Sequence, residues 1–172
     1  MSLKPFDITK NLFSLILPAT VLIIIPFVII KKIDFSRPVR VIAGGIISLI
    51  GLMIIAATVR MFILIGRGTL APWSPTRKLV TQNFFAHVRN PMILGVLTVL
   101  TGETIYFWSG NMMIWTILFF LINTIYLAVS EEPGLAERFG EEYSEYKQNV
   151  PRWLPRITAW KSDTENKLNR GN

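Results

Sequence analysis

Residues 90–130, NPMILGVLTVLTGETIYFWSGNMMIWTILFFLINTIYLAVS, decide the fold of this chain. These 41 residues carry one charge, Glu103, and so apolar a segment is not stable in water. One bilayer crossing needs about 20 residues, so the segment is long enough to cross a membrane and return. Such a hairpin brings its two ends to one membrane face. There the pair Arg89-Asn90 would meet the pair Glu131-Glu132, which forms a small polar site at the membrane surface.

The composition supports an integral membrane protein. Of the 172 residues 51% are hydrophobic and 17% are charged, and the mean hydropathy is +0.45. In a typical soluble domain about a quarter of the residues are charged. The absence of cysteine excludes disulfides and thiolate sites, and a single histidine excludes a histidine-rich metal site. The net charge of +7 suits contact with anionic lipid, so we expect a membrane and lipid as partners, with neither nucleic acid nor metal.

The hydrophobic pattern predicts an all-α fold, a polytopic integral membrane protein with about four transmembrane helices and an amphipathic C-terminal helix. The expected crossings are residues 12–30, 41–65, 91–108 and 112–130. They define a transmembrane domain of residues 12–132, preceded by an N-terminal segment, 1–11. We expect Pro133-Gly134 to break the chain before an interfacial C-terminal region, 133–162, and residues 163–172 to be disordered.

Several details follow from local signals. Pro18 and Pro26 should kink the first crossing or mark its ends. Residues 76–87 have the spacing of a short interfacial helix. The glycines Gly44, Gly45 and Gly51 allow close helix contact in the second crossing, and Asn123 is expected to bond between helices.

The distribution of positive charge bears on orientation. Four crossings place both termini and the connection 66–91 on one side of the membrane. Positive charges in that connection and in the tail predict a cytoplasmic side, and hence a cytoplasmic active site. Lys31, Lys32, Arg37 and Arg40 would then lie outside, against the rule.

Two charged residues fall within the predicted crossings. Arg60 lies near the end of the second and is expected to extend to the interface or to face a polar partner. Glu103 lies 12 residues into the third, about 18 Å along the axis, and should be neutral or paired. Arg60 is its one basic candidate, and a hydrogen bond to a helix carbonyl is the alternative.

Two further features at the membrane surface could take part in chemistry. His87 is a candidate general base, although a lone histidine at an interface is more often simply solvated. Glu131 and Glu132, read as a helix C-terminus, should need a cation for at least one of them. A functional site and a solvated helix end fit these residues equally well.

The motifs of residues 66–156 resemble a membrane methyltransferase superfamily, that of isoprenylcysteine carboxyl methyltransferases and phospholipid N-methyltransferases. The likeness rests on the order and spacing of the following pieces: Gly68-Thr69-Leu70-Ala71-Pro72-Trp73 with Pro75, Lys78-Leu79-Val80-Thr81, Arg89-Asn90-Pro91-Met92 with Gly95, Gly102-Glu103, Glu131-Glu132-Pro133, Arg138-Phe139-Gly140-Glu141-Glu142-Tyr143 with Tyr146, and Val150-Pro151-Arg152.

The resemblance implies S-adenosylmethionine as cofactor and methyl transfer to a lipidic or small apolar acceptor, through a carboxyl or an amine. The implied cofactor residues are Arg89, Asn90, Pro91, Met92, Gly95, Glu131 and Glu132. Glu131, His87 and Tyr143 are the candidate catalytic residues for removing a proton from an amine. Arg60, Trp73 and Glu103 are the candidate substrate-binding residues.

Three departures from the family pattern keep an alternative open. Asn90 and Ile93 stand where the carboxyl methyltransferases have His and Tyr, and Asn83-Phe84-Phe85 replaces Gly-Pro-Tyr. Asn substitutes for Gly where φ is positive, so we expect the turn to survive. The loss of the Tyr hydroxyl favours a non-catalytic membrane scaffold or lipid-binding protein with a decayed site. A nicotinamide-dependent lipid reductase is a more remote reading.

Overall fold

The computed structural model describes residues 19–30, 36–64 and 79–161. In that part of the chain all regular structure is helical. The N-terminal segment, the start of the first crossing with Pro18, most of the connection 66–91 with Trp73, and the tail 163–172 lie outside the described residues.

Five helices make up the described structure. Helix α1 is Thr20–Ile29, whose first turn, Thr20–Ile24, is a π turn. Helix α2 is Pro38–Leu64, α3 is Pro91–Phe107 and α4 is Gly110–Tyr126. A π turn, Leu127–Glu131, joins α4 to α5, Glu132–Asn149, so the helix runs for 40 residues. Its one kink is at Gly140, where φ is +53°.

The apolar helices fit a membrane protein. Residues Pro38–Met61 of α2 and the apolar part of the long α4–α5 helix are long and apolar enough to span a bilayer, whereas Thr20–Ile29 and Pro91–Phe107 are shorter apolar helices. Large hydrophobic side chains on α2 and α4 are exposed, among them Ile42, Leu49, Ile114 and Ile125. We treat residues 110–130 as the membrane-embedded part of the long helix.

Helices α2 and α3 pack antiparallel through small residues. A Cβ atom on Gly44 would lie 2.6 Å from the Gly102 carbonyl oxygen, and one on Gly51 would lie 2.7 Å from the Gly95 carbonyl oxygen. Between these two contacts the Ser48 hydroxyl donates to the Val99 carbonyl over 3.5 Å. The glycines expected to permit close contact therefore do so, at Gly44 and Gly51. Gly45 faces open space.

The expected chain break at Pro133-Gly134 is wrong. Pro133 is the second residue of α5, and it follows the π turn Leu127–Glu131. Pro26 follows the π turn Thr20–Ile24 in the same way. A proline inside a regular helix lacks a donor and clashes with the preceding turn, and the wider π turn relieves that clash. The helix therefore passes both prolines.

Two further local expectations differ from the structure. The described part of residues 76–87 holds only a 3₁₀ turn, Asn83–Ala86. The Asn123 side chain donates to the Phe119 carbonyl of its own helix over 2.8 Å, and among the described residues it has no hydrogen bond to another helix.

A second core lies beyond the apolar helices. Tyr143, Tyr146 and Val150 are its buried members, and Leu79, Leu135, Phe139 and Trp160 pack around them. Residues 150–161, which we call the C-terminal extension, return along the turn before α3. Backbone N–H groups of Arg89 and Trp160 donate to the carbonyls of Pro151 and Ala86 over 2.9 and 3.0 Å. This core therefore joins α5 to the C-terminal extension and to the chain before α3.

Candidate active site

Glu132 is the centre of the polar cluster at the end of the hairpin. It is 3% exposed and begins α5. Its Oε1 atom lies 2.7 Å from Arg152 Nε and 3.2 Å from Arg89 Nη1, and its Oε2 atom lies 3.0 Å from Lys147 Nζ. Three cations therefore surround one buried carboxylate, which confirms that at least one acid of the pair has a cationic partner.

Three separate elements supply these cations. Arg89 comes from the turn before α3, where Pro91 fixes the helix start. Lys147 lies in the last turn of α5, and Arg152 lies just beyond it in the C-terminal extension. The expected helix C-terminus at Glu131 and Glu132 is wrong, because both residues lie within a continuous helix.

Burial and the cations act in opposite directions on Glu132. Burial alone raises the pKa of this carboxyl. The hydrogen bonds from Arg152 and Lys147 and the charge of Arg89 outweigh it, so the pKa of Glu132 is lowered from its ordinary value. The carboxylate is therefore ionised at neutral pH.

Glu131 lies in a different environment although it is the adjacent residue. In the described part of the chain no cation lies within ion-pair distance of it. Burial, and then the negative charge of Glu132, raise the pKa of Glu131. A cation brought to this carboxylate would relieve both effects.

The Arg89 guanidinium has buried donors that make no hydrogen bond among the described residues. The Arg89 side chain is 10% exposed, and in the described structure Nε and Nη1 make no hydrogen bond, although Nη1 forms the ion pair with Glu132. Buried donors without an acceptor are rare and costly. Tyr143, 2% exposed, interacts electrostatically with Arg89, Glu131 and Glu132, and burial is the main cause that raises its pKa. The phenol is therefore a hydrogen-bond donor at neutral pH.

His87 is tied to the C-terminal extension. Its Nδ1 atom donates to the Arg156 carbonyl over 2.7 Å, and its own carbonyl accepts from the Arg156 N–H over 2.9 Å. A carbonyl only accepts, so Nδ1 carries the proton and Nε2 is the nitrogen left to accept one.

The start of α3 forms one wall of the cluster. Asn90 is the N-cap and makes no side-chain cap hydrogen bond, Pro91 is buried, and Met92 follows in the first turn. Gly95, one turn further, packs against α2, where its Cβ would lie 2.8 Å from Ile55 Cγ1. The structure thus brings together Arg89, Glu131, Glu132 and Tyr143, and gives Gly95 a packing contact.

Of the three candidate substrate-binding residues, Glu103 lies about 18 Å along α3 from its start, Arg60 lies toward the cluster's end of α2, and Trp73 lies outside the described residues. Arg60 is exposed, and none of the ion pairs of Glu132 involves it. Glu103 is adjacent to Gly102, which packs on Gly44, so the antiparallel register places it about 24 Å along α2 from Arg60. The suggested Arg60–Glu103 pair is therefore not formed. Glu103 Oε2 is buried without a hydrogen bond among the described residues.

Neither Lys147 nor Arg152 was expected from the sequence to be a partner of Glu132; Arg152 was expected to lie against lipid headgroups. Lys147 lies in the last turn of α5, and Arg152 lies beyond it in a quoted motif, Val150-Pro151-Arg152. The need of Glu132 for cations was recognised. A signal for the missing partner was available in the sequence. Arg152 and Arg156 stand among apolar residues after Pro151, which indicates a segment that packs against the protein and could bring a cation to Glu132.

The chain matches a family and several relatives. The model of the phospholipid methyltransferase family matches residues 39–142. An uncharacterised protein of Haemophilus influenzae is 40% identical over 65 residues, which are 37% of this chain and 100% of that protein.

Two relatives carry functional names. Methanethiol S-methyltransferase 2 of Bradyrhizobium diazoefficiens is 34% identical over 94 residues, 52% of this chain and 34% of that protein. Methanethiol S-methyltransferase of Pseudomonas deceptionensis is 35% identical over 81 residues, 45% of this chain and 28% of that protein. The match spans about a third of the length of these two enzymes.

The matched residues 39–142 include α2, α3, α4, Arg89 and both acids of the cluster. They are more than half of the chain. Membrane methyltransferases are thus the proteins to which this sequence is related. The chain belongs to the phospholipid methyltransferase family.

Proposed function

We propose that this protein transfers a methyl group from S-adenosylmethionine to a lipidic or small apolar acceptor at the membrane surface. One observation carries the proposal. Arg89 has one buried donor, Nε, without an acceptor and a second, Nη1, that is ion-paired to Glu132 without a hydrogen bond, and Glu131 has a partly buried carboxylate without a cation in the described structure. Together they complement the carboxylate and the ammonium of an amino acid, which is one end of this cofactor.

The cluster residues fit the amino-acid end of S-adenosylmethionine, but Glu131 and Glu132 take different roles. Glu132 was a candidate for the ammonium, but three cations already neutralise it. In the proposal Glu131 therefore binds the ammonium and Arg89 binds the carboxylate. Glu132 orients Arg89, and the first turn of α3 contributes backbone donors from Met92 onward, since Pro91 has no N–H.

S-adenosylmethionine, when bound, supplies an electrophilic methyl group on a sulfonium. The chain has then to align an acceptor with that methyl group and to remove a proton where the acceptor is an amine or a thiol. His87 Nε2 is the proposed base, because Nδ1 donates to the Arg156 carbonyl and leaves Nε2 free to accept a proton. Tyr143 remains protonated and donates a hydrogen bond. Arg60, Trp73 and Glu103 remain proposed contacts of the acceptor.

Binding of S-adenosylhomocysteine to the detergent-purified protein, measured by calorimetry, tests the proposal. We expect micromolar binding by the wild type. Glu131→Gln should weaken it about 10–100-fold, the worth of one hydrogen bond to a charged group. Glu142→Gln is the matched control, since Glu142 is exposed on the same helix. Equal affinity of Glu131→Gln and wild type would contradict the assignment.

A decayed site in a lipid-binding scaffold is the second candidate function. The observation that favours it is the neutralisation of Glu132 within the protein, which leaves that carboxylate no need of a ligand. A wild-type protein that is folded by circular dichroism and binds no S-adenosylhomocysteine would support the scaffold.

The acceptor class is tested separately. The family description names phospholipids, and the two named relatives are called methanethiol S-methyltransferases. We propose an amine headgroup or a small thiol as acceptor, and transfer of a labelled methyl group to phosphatidylethanolamine vesicles or to methanethiol distinguishes them. Labelling of neither, with the cofactor bound, would exclude both acceptors.

A further inference from the structure

The C-terminal extension carries two apolar side chains that are fully open to the surroundings. Leu154 is 81% exposed and Ile157 is 98% exposed. They lie three positions apart; Leu154 lies between Arg152 and Arg156, and Ile157 directly follows Arg156.

These two side chains do not belong to a loose tail. Before them, Pro151 accepts from the Arg89 N–H and Arg152 bonds to Glu132. Between them, the Arg156 backbone makes two hydrogen bonds with His87, and after them Trp160 packs on Tyr146 at 5.5 Å between ring centroids. A segment fixed at both ends holds Leu154 and Ile157 outward.

Trp153 connects the C-terminal extension to an apolar, exposed helix face. Its ring lies 5.0 Å from that of Phe120, between centroids, on the apolar helix α4. Phe120 is 12 residues before Glu132, which is about 18 Å along the helix. Adjacent residues thus reach in opposite directions, Arg152 to the polar cluster and Trp153 to the apolar face of α4.

We propose that residues 152–160 form a membrane anchor, with Leu154 and Ile157 inserted into the leaflet that meets the Glu132 cluster. The occupant of this surface is the bilayer, because Trp153 joins it to the exposed apolar side chains of α4. Flanking arginines with long apolar stems and tryptophans are the composition that lies at the headgroup boundary. The anchor is independent of the proposed catalytic activity.

The chain has no cysteine, so single labels can be introduced directly. Leu154→Cys and Ile157→Cys would carry a nitroxide in the full-length protein reconstituted into phospholipid nanodiscs. Gln148→Cys is the matched control, since Gln148 is exposed on α5. Power saturation of the spin-label spectrum compares the collision rates with oxygen, which concentrates in lipid, and with a water-soluble nickel complex.

We expect the labels at positions 154 and 157 to collide several-fold more with oxygen than with nickel, and the label at 148 to show the reverse. Higher nickel collision at 154 and 157 would place them in water and overturn the anchor. Low collision with both reagents would mean that protein, such as a second copy of the chain, covers them, which also overturns it. Circular dichroism of the labelled variants verifies the fold.

Discussion

Arg152 Nε lies 2.7 Å from Glu132 Oε1, although the two residues are 20 positions apart in the sequence and Glu132 is only 3% exposed. This bond joins the C-terminal extension to the start of α5. Arg89 reaches the same oxygen from the turn before α3. The carboxylate therefore links the two ends of the hairpin, and its removal should affect the whole polar region.

Glu132→Gln should destabilise the protein by about 3–5 kcal/mol, since it leaves buried cations without their counter-charge. Arg152→Gln should cost about 1–3 kcal/mol, because two cations remain on Glu132. Lys147→Gln should cost less than about 1 kcal/mol, as that side chain is 50% exposed. Chemical denaturation in detergent, followed by circular dichroism, measures the order. A loss for Lys147→Gln as large as that for Arg152→Gln would contradict it.

The pH dependence of stability should follow the lowered pKa of Glu132. A carboxyl whose pKa is lower in the folded than in the unfolded state stabilises above its unfolded pKa, 4.5. That contribution is lost as the pH falls through the folded pKa, which lies below 4.5. Wild type should therefore lose more stability than Glu132→Gln on acidification below pH 4.5. Parallel acid curves from apparent melting temperatures would argue against the ion pairs.

Gly51→Ala should destabilise the α2–α3 contact by about 1–3 kcal/mol, because its Cβ would lie 2.7 Å from backbone atoms of α3. Gly45→Ala is the matched control on the same helix, as nothing lies within 4 Å of its Cβ. Alanine is the better helix former, so this control should be neutral or stabilising by up to about 1 kcal/mol. Thermal unfolding of the two variants side by side measures the difference. A larger loss for Gly45→Ala would reject the register.

Asn83→Gly should be neutral or stabilising, and Asn83→Val should cost about 1–2 kcal/mol, because φ is +54° at this residue. Gln82→Val is the control, since φ is −99° there and suits a branched side chain. Equal losses for the two valine variants, measured by chemical denaturation, would exclude backbone conformation as the cause.

His87→Asn should keep stability within about 0.5 kcal/mol, because the Asn amide can donate where Nδ1 does. His87→Ala should cost about 1 kcal/mol, since the Arg156 carbonyl loses its donor. Both variants lack Nε2, so both should lose methyl transfer to an amine or thiol if that atom is the base. Activity retained by His87→Asn, with a labelled methyl donor, would leave His87 a structural role alone.

The sequence predicted best those features that depend on one residue and its neighbours, such as the starts of helices and the backbone conformation of a turn. Pro91 begins α3, and α2 and α4 begin within three residues of the predicted limits. The positive φ of Asn83 was expected from Gly at that place in related proteins and is confirmed. These features depend on one residue and its neighbours, so no long-range contact had to be known.

The parts that could not be predicted depend on distant residues. Lys147 and Arg152 reach Glu132 only because the extension turns back after Val150. The helix continues through Pro133 because a π turn precedes it, and hydrophobic periodicity does not reveal one inserted residue in a turn. Whether His87 is solvated or bonded depended on Arg156, 69 positions away.

The unbroken course of α4 into α5 has a consequence for how this family can vary. Each residue added to or removed from the helix between Phe120 and Glu132 would displace the carboxylate by about 1.5 Å and rotate it by about 100°. Arg152 and Trp153 contact both ends of this stretch and could not follow. The length of the helix thus fixes the distance between Phe120 and Glu132. Insertions and deletions between Phe120 and Glu132 should therefore be tolerated far less than substitutions.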